Sequence, residues 1–393
     1  MPKPVYIAAT KRTPIGSYLG ALSTIAAPRL GARAIMATLE QAGVEPAAVQ
    51  EVFMGNVLSA GIGQAPARQA SRYAGLPDDV PCTTVNKVCG SGLQAVILAA
   101  KTIAVGDAEL VVAGGMESMS NVPYYLTQGR TGYRMGDGSL KDGMILDGLW
   151  DPYSDQHMGN CGELCAAEYG LSREAQDAYA TESYRRASAA QQEGLFADEL
   201  CSVEVPARRG DPLVVDTDEE PARGKPEKFA RLRPAFSREG TVTAANASSL
   251  NDGACALLLA SEAAVKQHGL TPLGRIEGYA GAAQAPEWFT TAPAKAIDNA
   301  LTRTGLTKND IGLHEINEAF SVVPMAVAKL CDLDLARVNV RGGAVSIGHP
   351  IGASGARILT TLLYAMRDLE VARGMASICI GGGEALAVVV HRG

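Results

Sequence analysis

Past position 89 the apolar residues Leu93, Val96, Ile97, Ala100 and Ile103 recur at helical spacing until Gly106 and Asp107 break the pattern, which predicts a core helix over 90–105. Upstream, an apolar run predicts a strand over 5–9, a period near 3.6 predicts a helix over 28–42 with Ile35 and Leu39 inward, and residues 49–57 read as a strand ending at Gly55 and Asn56. Residues 109–113 form a short apolar run that stops at Gly114, Gly115, Met116 and Glu117. Alternating strands and helices predict an α/β layer with a largely parallel sheet. Between 118 and 251 the texture turns to Gly, Asp, Tyr and Pro, with one clear helix over 173–192 and a basic, Pro-containing segment over 208–238. That stretch reads as an inserted domain. Apolar runs return at Ala254 and continue to Val390.

The last third repeats the first. A shift of 262 places Ala32 on Ala294, Ala34 on Ala296, Ile35 on Ile297, Leu39 on Leu301 and Gly43 on Gly305. Farther on, Ser91-Gly92 and Ser354-Gly355 each open an apolar helix, and apolar strands end at Gly114-Gly115 and at Gly382-Gly383. The ordered succession predicts two duplicated α/β halves in a layered arrangement, with equivalent loops facing each other and an active site between them. The expected boundaries are an N-terminal half over 1–120 completed by 251–271, an inserted loop domain over 121–250, and a C-terminal half over 272–393.

Composition narrows the function classes. The 393 residues are 47% hydrophobic and 20% charged, which is a globular composition, and the net charge of −7 argues against nucleic acid as the main partner. Residues 1–13 show no charged head followed by an apolar core, so no signal peptide is expected, and no membrane span is expected either. Eight cysteines are scattered without a CxxC pair and with only five histidines, so no metal site is expected and the thiols read as reduced and cytoplasmic.

Cys89 is the residue with most chemical promise, because the predicted helix N-terminus behind it favours thiolate over thiol, and Gly90 and Gly92 admit a ligand close to the backbone. A cysteine by itself is most often a small buried hydrophobe, so partners are needed. Three further places join a polar or reactive side chain to backbone freedom: Asn317 within 314–320, His349 within the Gly-rich 342–355, and Cys379 before Gly381, Gly382 and Gly383.

Four segments, NKVCGSGLQA (86–95), NEAF (317–320), GHPIGASGAR (348–357) and CIGGGEA (379–385), resemble the signature blocks of the thiolases, and SNVPYYL, HMG and TVTAANASSLNDGA extend the likeness along the whole chain. The resemblance implies a thiolase fold with αβαβα layers, and an acetyl-CoA C-acetyltransferase that condenses two acetyl-CoA molecules or cleaves acetoacetyl-CoA with CoA. It implies acyl transfer onto Cys89, with His349 as its base and Cys379 as the second acid/base. One oxyanion would be held by His349 and a water fixed by Asn317, the other by the N–H groups of Cys89 and Gly381. His157, Met158, Leu149 and Phe320 would close the acyl pocket, Ser248 would bond the pantetheine arm, and Arg223 is a candidate partner for the adenine. Acyl-CoA and CoA are the expected partners, with no resident cofactor, and a homotetramer is implied.

The alternatives are a degradative 3-ketoacyl-CoA thiolase of broader chain length, against which His157 before Met158 and Gly159 argues, a non-catalytic CoA- or lipid-binding relative, which should have lost a reacting residue, and a ketosynthase, which should carry a second histidine in place of Cys379. Two positions depart from the family pattern: Arg341, where Asn is commoner, and Cys161 with Cys165 after the HMG segment. Potassium activation is not expected, because the loop at Glu220 and Pro221 lacks the tyrosine used by some relatives.

Overall fold

The computed structural model describes residues 3–207 and 209–392. Its first half runs through strand β1 (Val5–Arg12), helix α1 (Ala27–Ala42), β2 (Glu51–Gly55), α2 (Pro66–Tyr73), β3 (Cys82–Val85), α3 (Ser91–Val105) and β4 (Leu110–Ser118). The segment up to residue 250 carries two longer helices, α4 (Met158–Tyr169) and α5 (Arg173–Gln192), among short turns. Then follow β5 (Asn251–Ser261), β6 (Gly274–Ala283), α6 (Ala292–Thr304), β7 (Leu313–Ile316), α7 (Val322–Cys331), α8 (Ile351–Asp368), β8 (Arg373–Ile380) and β9 (Glu384–His391).

The long strands hydrogen-bond in the order β7–β8–β9–β6–β1–β5–β4–β2–β3. The order within β6–β9–β8–β7 copies that within β1–β5–β4–β2, so the repeat seen in the sequence is a repeat of topology. In the place of β3 the second half has a single parallel bridge from Val338 to His314. The expected largely parallel sheet is a mixed one: only β2–β3, β2–β4 and β7–β8 pair in parallel, and β1, β5, β6 and β9 pair antiparallel. The reason lies in the connections, since β5 returns from the inserted segment and β9 follows β8 through the short Gly381–Gly383 turn, and neither is delivered by a crossover helix.

The layers follow from which side chains alternate along each strand. On β4, Val111 and Ala113 enter one core with α3 and α8, while Leu110 and Val112 enter another with α1. Both faces are covered, so the strand reads as one continuous apolar run. Helices α3 and α8 lie in the middle, packed on each other and on strands of both halves, and α1 with α2 and α6 with α7 cover the outside. This gives five layers. The apolar segment Val88–Val105, of mean hydropathy 1.6, is long enough by length and composition to cross a membrane, contrary to expectation, yet 61% of it is buried. It is apolar because the central layer has no solvent face.

Glycines set the spacing of that layer. A Cβ on Gly92 would lie 2.9 Å from the Ala356 nitrogen and 3.0 Å from the Gly352 oxygen, and one on Gly355 would lie 2.5 Å from the Leu93 nitrogen. The two central helices therefore cross backbone against backbone, and their N-termini come together. Arg341, the departure noted above, is buried, donates to the Leu195 carbonyl at 2.8 Å and pairs with Asp368 at the end of α8.

Candidate active site

Cys89 sits on a tight turn between β3 and α3. Val88 adopts φ 46°, a left-handed conformation that a β-branched residue rarely takes and that costs about 1–3 kcal/mol. Side chains hold it there: the Val88 N–H donates to Asn86 Oδ1 at 3.1 Å, and Ser91 Oγ accepts from the Lys87 N–H at 2.8 Å and donates to the Val88 carbonyl at 2.6 Å. A Cβ on Gly90 would lie 2.4 Å from Ile380 Cδ1, so this turn presses against the end of β8. The N–H groups of Gly381 and of Cys89 itself point at the Cys89 sulfur and favour its thiolate, but burial outweighs them and pushes the thiol up to about 11. The sequence argument for a thiolate at rest is thereby corrected, because the helix end lies in a desolvated layer and not at a wet surface.

His349 precedes α8 in an extended turn. Its backbone N–H donates to Asn251 Oδ1 at 2.8 Å, and its Nδ1 lies 2.6 Å from Ser354 Oγ. Ser354 Oγ donates its one proton to the Pro350 carbonyl at 2.9 Å, so the ring must be the donor to Ser354. The proton is then on Nδ1, and Nε2 carries a lone pair. That Nε2 is buried without a protein partner among the described residues. Burial first, and the charge of Arg357 second, hold the imidazole neutral, with its pKa lowered to about 3. Glu117 anchors the segment from behind, accepting from the N–H groups of Val57, Leu58 and Gly352. Burial raises its carboxyl to about 7.

Cys379 is the penultimate residue of β8, buried, with its thiol pushed well above the ordinary value by burial first and by the neighbouring Cys89 sulfur second. The Ala319 N–H favours its thiolate. Asn317 extends the β7–β8 ladder by one rung, its N–H donating to the Ser377 carbonyl at 3.0 Å. Both its Oδ1 and Nδ2 are buried with no protein partner among the described residues, which suits its amide to a guest.

A cavity of ≈ 350 Å³ opens onto His349 and is lined by Leu149, His157, Ser248, Phe320 and Phe236, among others. His157 caps α4 through Nδ1, which accepts from the Gly159 N–H at 3.0 Å, so its proton is on Nε2. Its ring stacks on Phe236 with centroids 4.7 Å apart. Met158 and Gly381 line a smaller cavity of ≈ 180 Å³ with Val88, Cys161 and Phe289. Arg223 is exposed on the turn Pro221–Arg223 and lines neither cavity; it lies by Tyr184. Arg208, the start of the basic segment, lies outside the described residues. No group of three or more His, Cys, Asp or Glu side chains suited to a metal ion is found among the described residues.

Sequence reasoning passed over Val88, Glu117, Asn251 and Ser354. Glu117 closes the apolar and Gly run 110–116, which is a usable signal of a buried hydrogen-bonded role, whereas Asn251 stands among Ser248, Ser249 and Asp252 and carries no such signal. Nothing in sequence marks a strained valine.

Residues 5–263 match the family model described as Thiolase, N-terminal domain, and residues 270–392 match Thiolase, C-terminal domain. The chain is 54% identical over 392 residues to acetyl-CoA acetyltransferase 1 of Arabidopsis thaliana, covering 99% of this chain and 94% of that protein. It is 52% identical over 389 residues to an acetyl-CoA acetyltransferase of Cupriavidus necator, covering 99% of both. Among solved structures, the Acat5 thiolase of Ascaris suum in complex with coenzyme A superposes with a TM-score of 0.94 at 44% identity, covering 99% of this chain and 100% of that one.

Proposed function

Because this chain belongs to the thiolase family, we propose that it is an acetyl-CoA C-acetyltransferase, condensing two acetyl-CoA molecules to acetoacetyl-CoA and CoA and running the reverse thiolysis. The observation that carries the reading is the unprotonated, unpartnered Nε2 of His349 in a buried site with two cysteines. At rest the thiol and imidazole are both neutral. Cys89 attacks the thioester carbonyl as its proton passes to His349 Nε2, and the departing CoA sulfur takes that proton back. The carbonyl oxygen turns anionic where the N–H groups of Cys89 and Gly381 converge. Cys379 then passes its own thiol proton to the vacated His349 Nε2, and a second acetyl-CoA loses a methyl proton to the resulting thiolate. Its carbanion bonds to the acetyl carbon, the C–S bond breaks, and the departing Cys89 thiolate takes the proton back from His349. The enolate oxygen formed on the second substrate belongs between His349 and a water held by Asn317.

In this reading Ser248 faces the pantetheine arm, and His157, Met158, Leu149 and Phe320 close the acyl end. Coenzyme A is substrate and product, and no resident cofactor takes part. Self-association, in our reading as a homotetramer, is supported by Tyr124, Leu126, Met135 and Leu140, apolar residues exposed within positions 124–140 of the inserted segment, where Met135 is 98% exposed. A cytoplasmic setting and a role in fatty acid metabolism fit eight unpaired thiols and an acyl-CoA substrate.

The test is a side-by-side measurement of kcat/KM for acetoacetyl-CoA and 3-ketohexanoyl-CoA with CoA. Each of the two extra methylenes costs about 1–3 kcal/mol in discrimination and the displaced side chains roughly another 1–3 kcal/mol, so acetoacetyl-CoA should win by at least about 100-fold. Comparable values would favour the broad degradative enzyme, and no cleavage of either would remove the reading.

A further inference from the structure

Behind the reacting groups lies a buried arginine–glutamate pair that is not hydrogen-bonded. Arg357 on α8 and Glu315 on β7 are 1% and 2% exposed at the side chain, with Nη1 to Oε2 at 3.7 Å. Neither Glu315 oxygen and neither terminal Arg357 nitrogen has a protein partner among the described residues. Neighbouring buried charges are committed elsewhere: Arg12 to Glu199 and Asp218, Arg341 to Asp368, and Glu318 to Tyr179, Ser183, Asn339 and the Val345 N–H. Placement relates the free pair to the site. Arg357 is one helical turn past Ser354, the residue that holds the His349 ring, and so shares its face of α8. Glu315 is two residues before Asn317 along the β7 ladder and so shares its face. Helix α8 packs on β7. The pair therefore stands one step behind both His349 and Asn317.

We propose that Arg357 is a positioning residue for the reaction: its charge, unspent on hydrogen bonds, acts through the His349–Asn317 pair to stabilise the enolate oxygen formed between them, and Glu315 sets how much of that charge is felt. This rests on the thiolase reading above. It adds a source of selectivity between the two oxyanions, because the other one, at the Cys89 and Gly381 N–H groups, lies at the α3 end. Burial raises the Glu315 carboxyl to about 8 against the pull of Arg357, with Glu318 and Glu199 also raising it and Arg341 lowering it. Near neutral pH the carboxyl therefore keeps its proton and leaves Arg357 uncompensated, since a guanidinium stays charged. The groups facing Arg357 are Glu315, Arg12, Glu199 and Glu318.

The experiment separates the two oxyanions in the full-length protein. For Arg357→Met, kcat for acetoacetyl-CoA thiolysis should fall about 10–100-fold with KM within about threefold, while acetylation of Cys89 by acetyl-CoA stays within about threefold, and Arg357→Lys should regain most of the loss. Equal losses in both measurements, or no rescue by lysine, overturn the proposal. If Arg357→Met does not fold, Glu315→Gln decides. In the wild type the ratio of thiolysis to acetylation should drop between about pH 7 and pH 9, and Glu315→Gln should hold it flat. A drop that persists in Glu315→Gln overturns it. Absent thiolysis in the wild type would instead sink the thiolase reading.

Discussion

Ser354 has a single hydroxyl proton, and giving it to the Pro350 carbonyl obliges the His349 ring to donate from Nδ1 and keep Nε2 bare. A base prepared in this way needs no net charge at rest, which suits a pocket where burial sets the thiol near 11 and the imidazole near 3. The two cysteines then divide the work, and substitution should show it. Cys89→Ser should abolish acetyl labelling from acetyl-CoA together with nearly all turnover, because an alkoxide is far harder to form than a thiolate. Cys379→Ser should lower condensation and thiolysis by more than about 100-fold while Cys89 still becomes acetylated. Mass spectrometry of the intact chain after incubation with acetyl-CoA reads both; label on Cys379 in the wild type would reverse the roles.

The elements that carry these residues meet through glycine. Alanine at Gly355 puts a Cβ 2.5 Å from the Leu93 backbone nitrogen, and alanine at Gly92 puts one 2.9 Å from the Ala356 nitrogen. Backbone cannot swing aside, so the crossing of α3 and α8 has to open. Either substitution should cost about 1–3 kcal/mol in urea unfolding, and it should lower kcat as well, because the N-termini of these two helices bear Cys89 and His349. Unchanged stability would mean that the helices are not in contact there. Much of this was legible beforehand. The periodicity over 90–105 marks α3 within a residue, and the helix over 173–192 is found at those bounds, because apolar spacing and caps are local properties. The return of 251–271 to the N-terminal half was expected, but the antiparallel direction in which β5 pairs with β1 was not legible, since the partners are about 250 residues apart. The unstressed look of Val88 hid a strained turn for a similar reason: tertiary contacts, and not valine's own preference, fix its φ. Arg223, the expected partner of the adenine, is exposed and outside the lining of the cavity.

On the scale of the whole molecule, the buried titratable groups oppose one another. Burial lowers His349 from 6.5 to about 3 and His314 from 6.5 to about 4, so between pH 6.5 and 4 the unfolded chain binds protons that the folded chain refuses, and acid destabilises. Burial raises Glu117 from 4.5 to about 7 and Glu315 from 4.5 to about 8, so from pH 4.5 up to about 7 the folded chain keeps protons that the unfolded chain has lost, and there acid stabilises. The two pairs cancel between about pH 4.5 and 6.5. Melting temperature should therefore be nearly flat in that window, fall below it as the histidine pair acts alone, and fall from about pH 6.5 to 8, where the folded chain holds carboxyl protons that the unfolded chain has lost, levelling off once both carboxyls have ionised; a steep slope inside the window would contradict these burials. The position of β5 between β1 and β4 has a further consequence, for synthesis. Apart from a single bridge of Arg12 to Leu200, strand β1 forms its ladders with β5 and β6, which span Asn251–Ser261 and Gly274–Ala283. At about 5–20 residues per second, β1 waits roughly 10–50 s after its own synthesis for its first ladder partner. For that interval an apolar strand and the open edge of β4 are both exposed, so the nascent N-terminal half is a natural client for a chaperone until residue 261 has emerged.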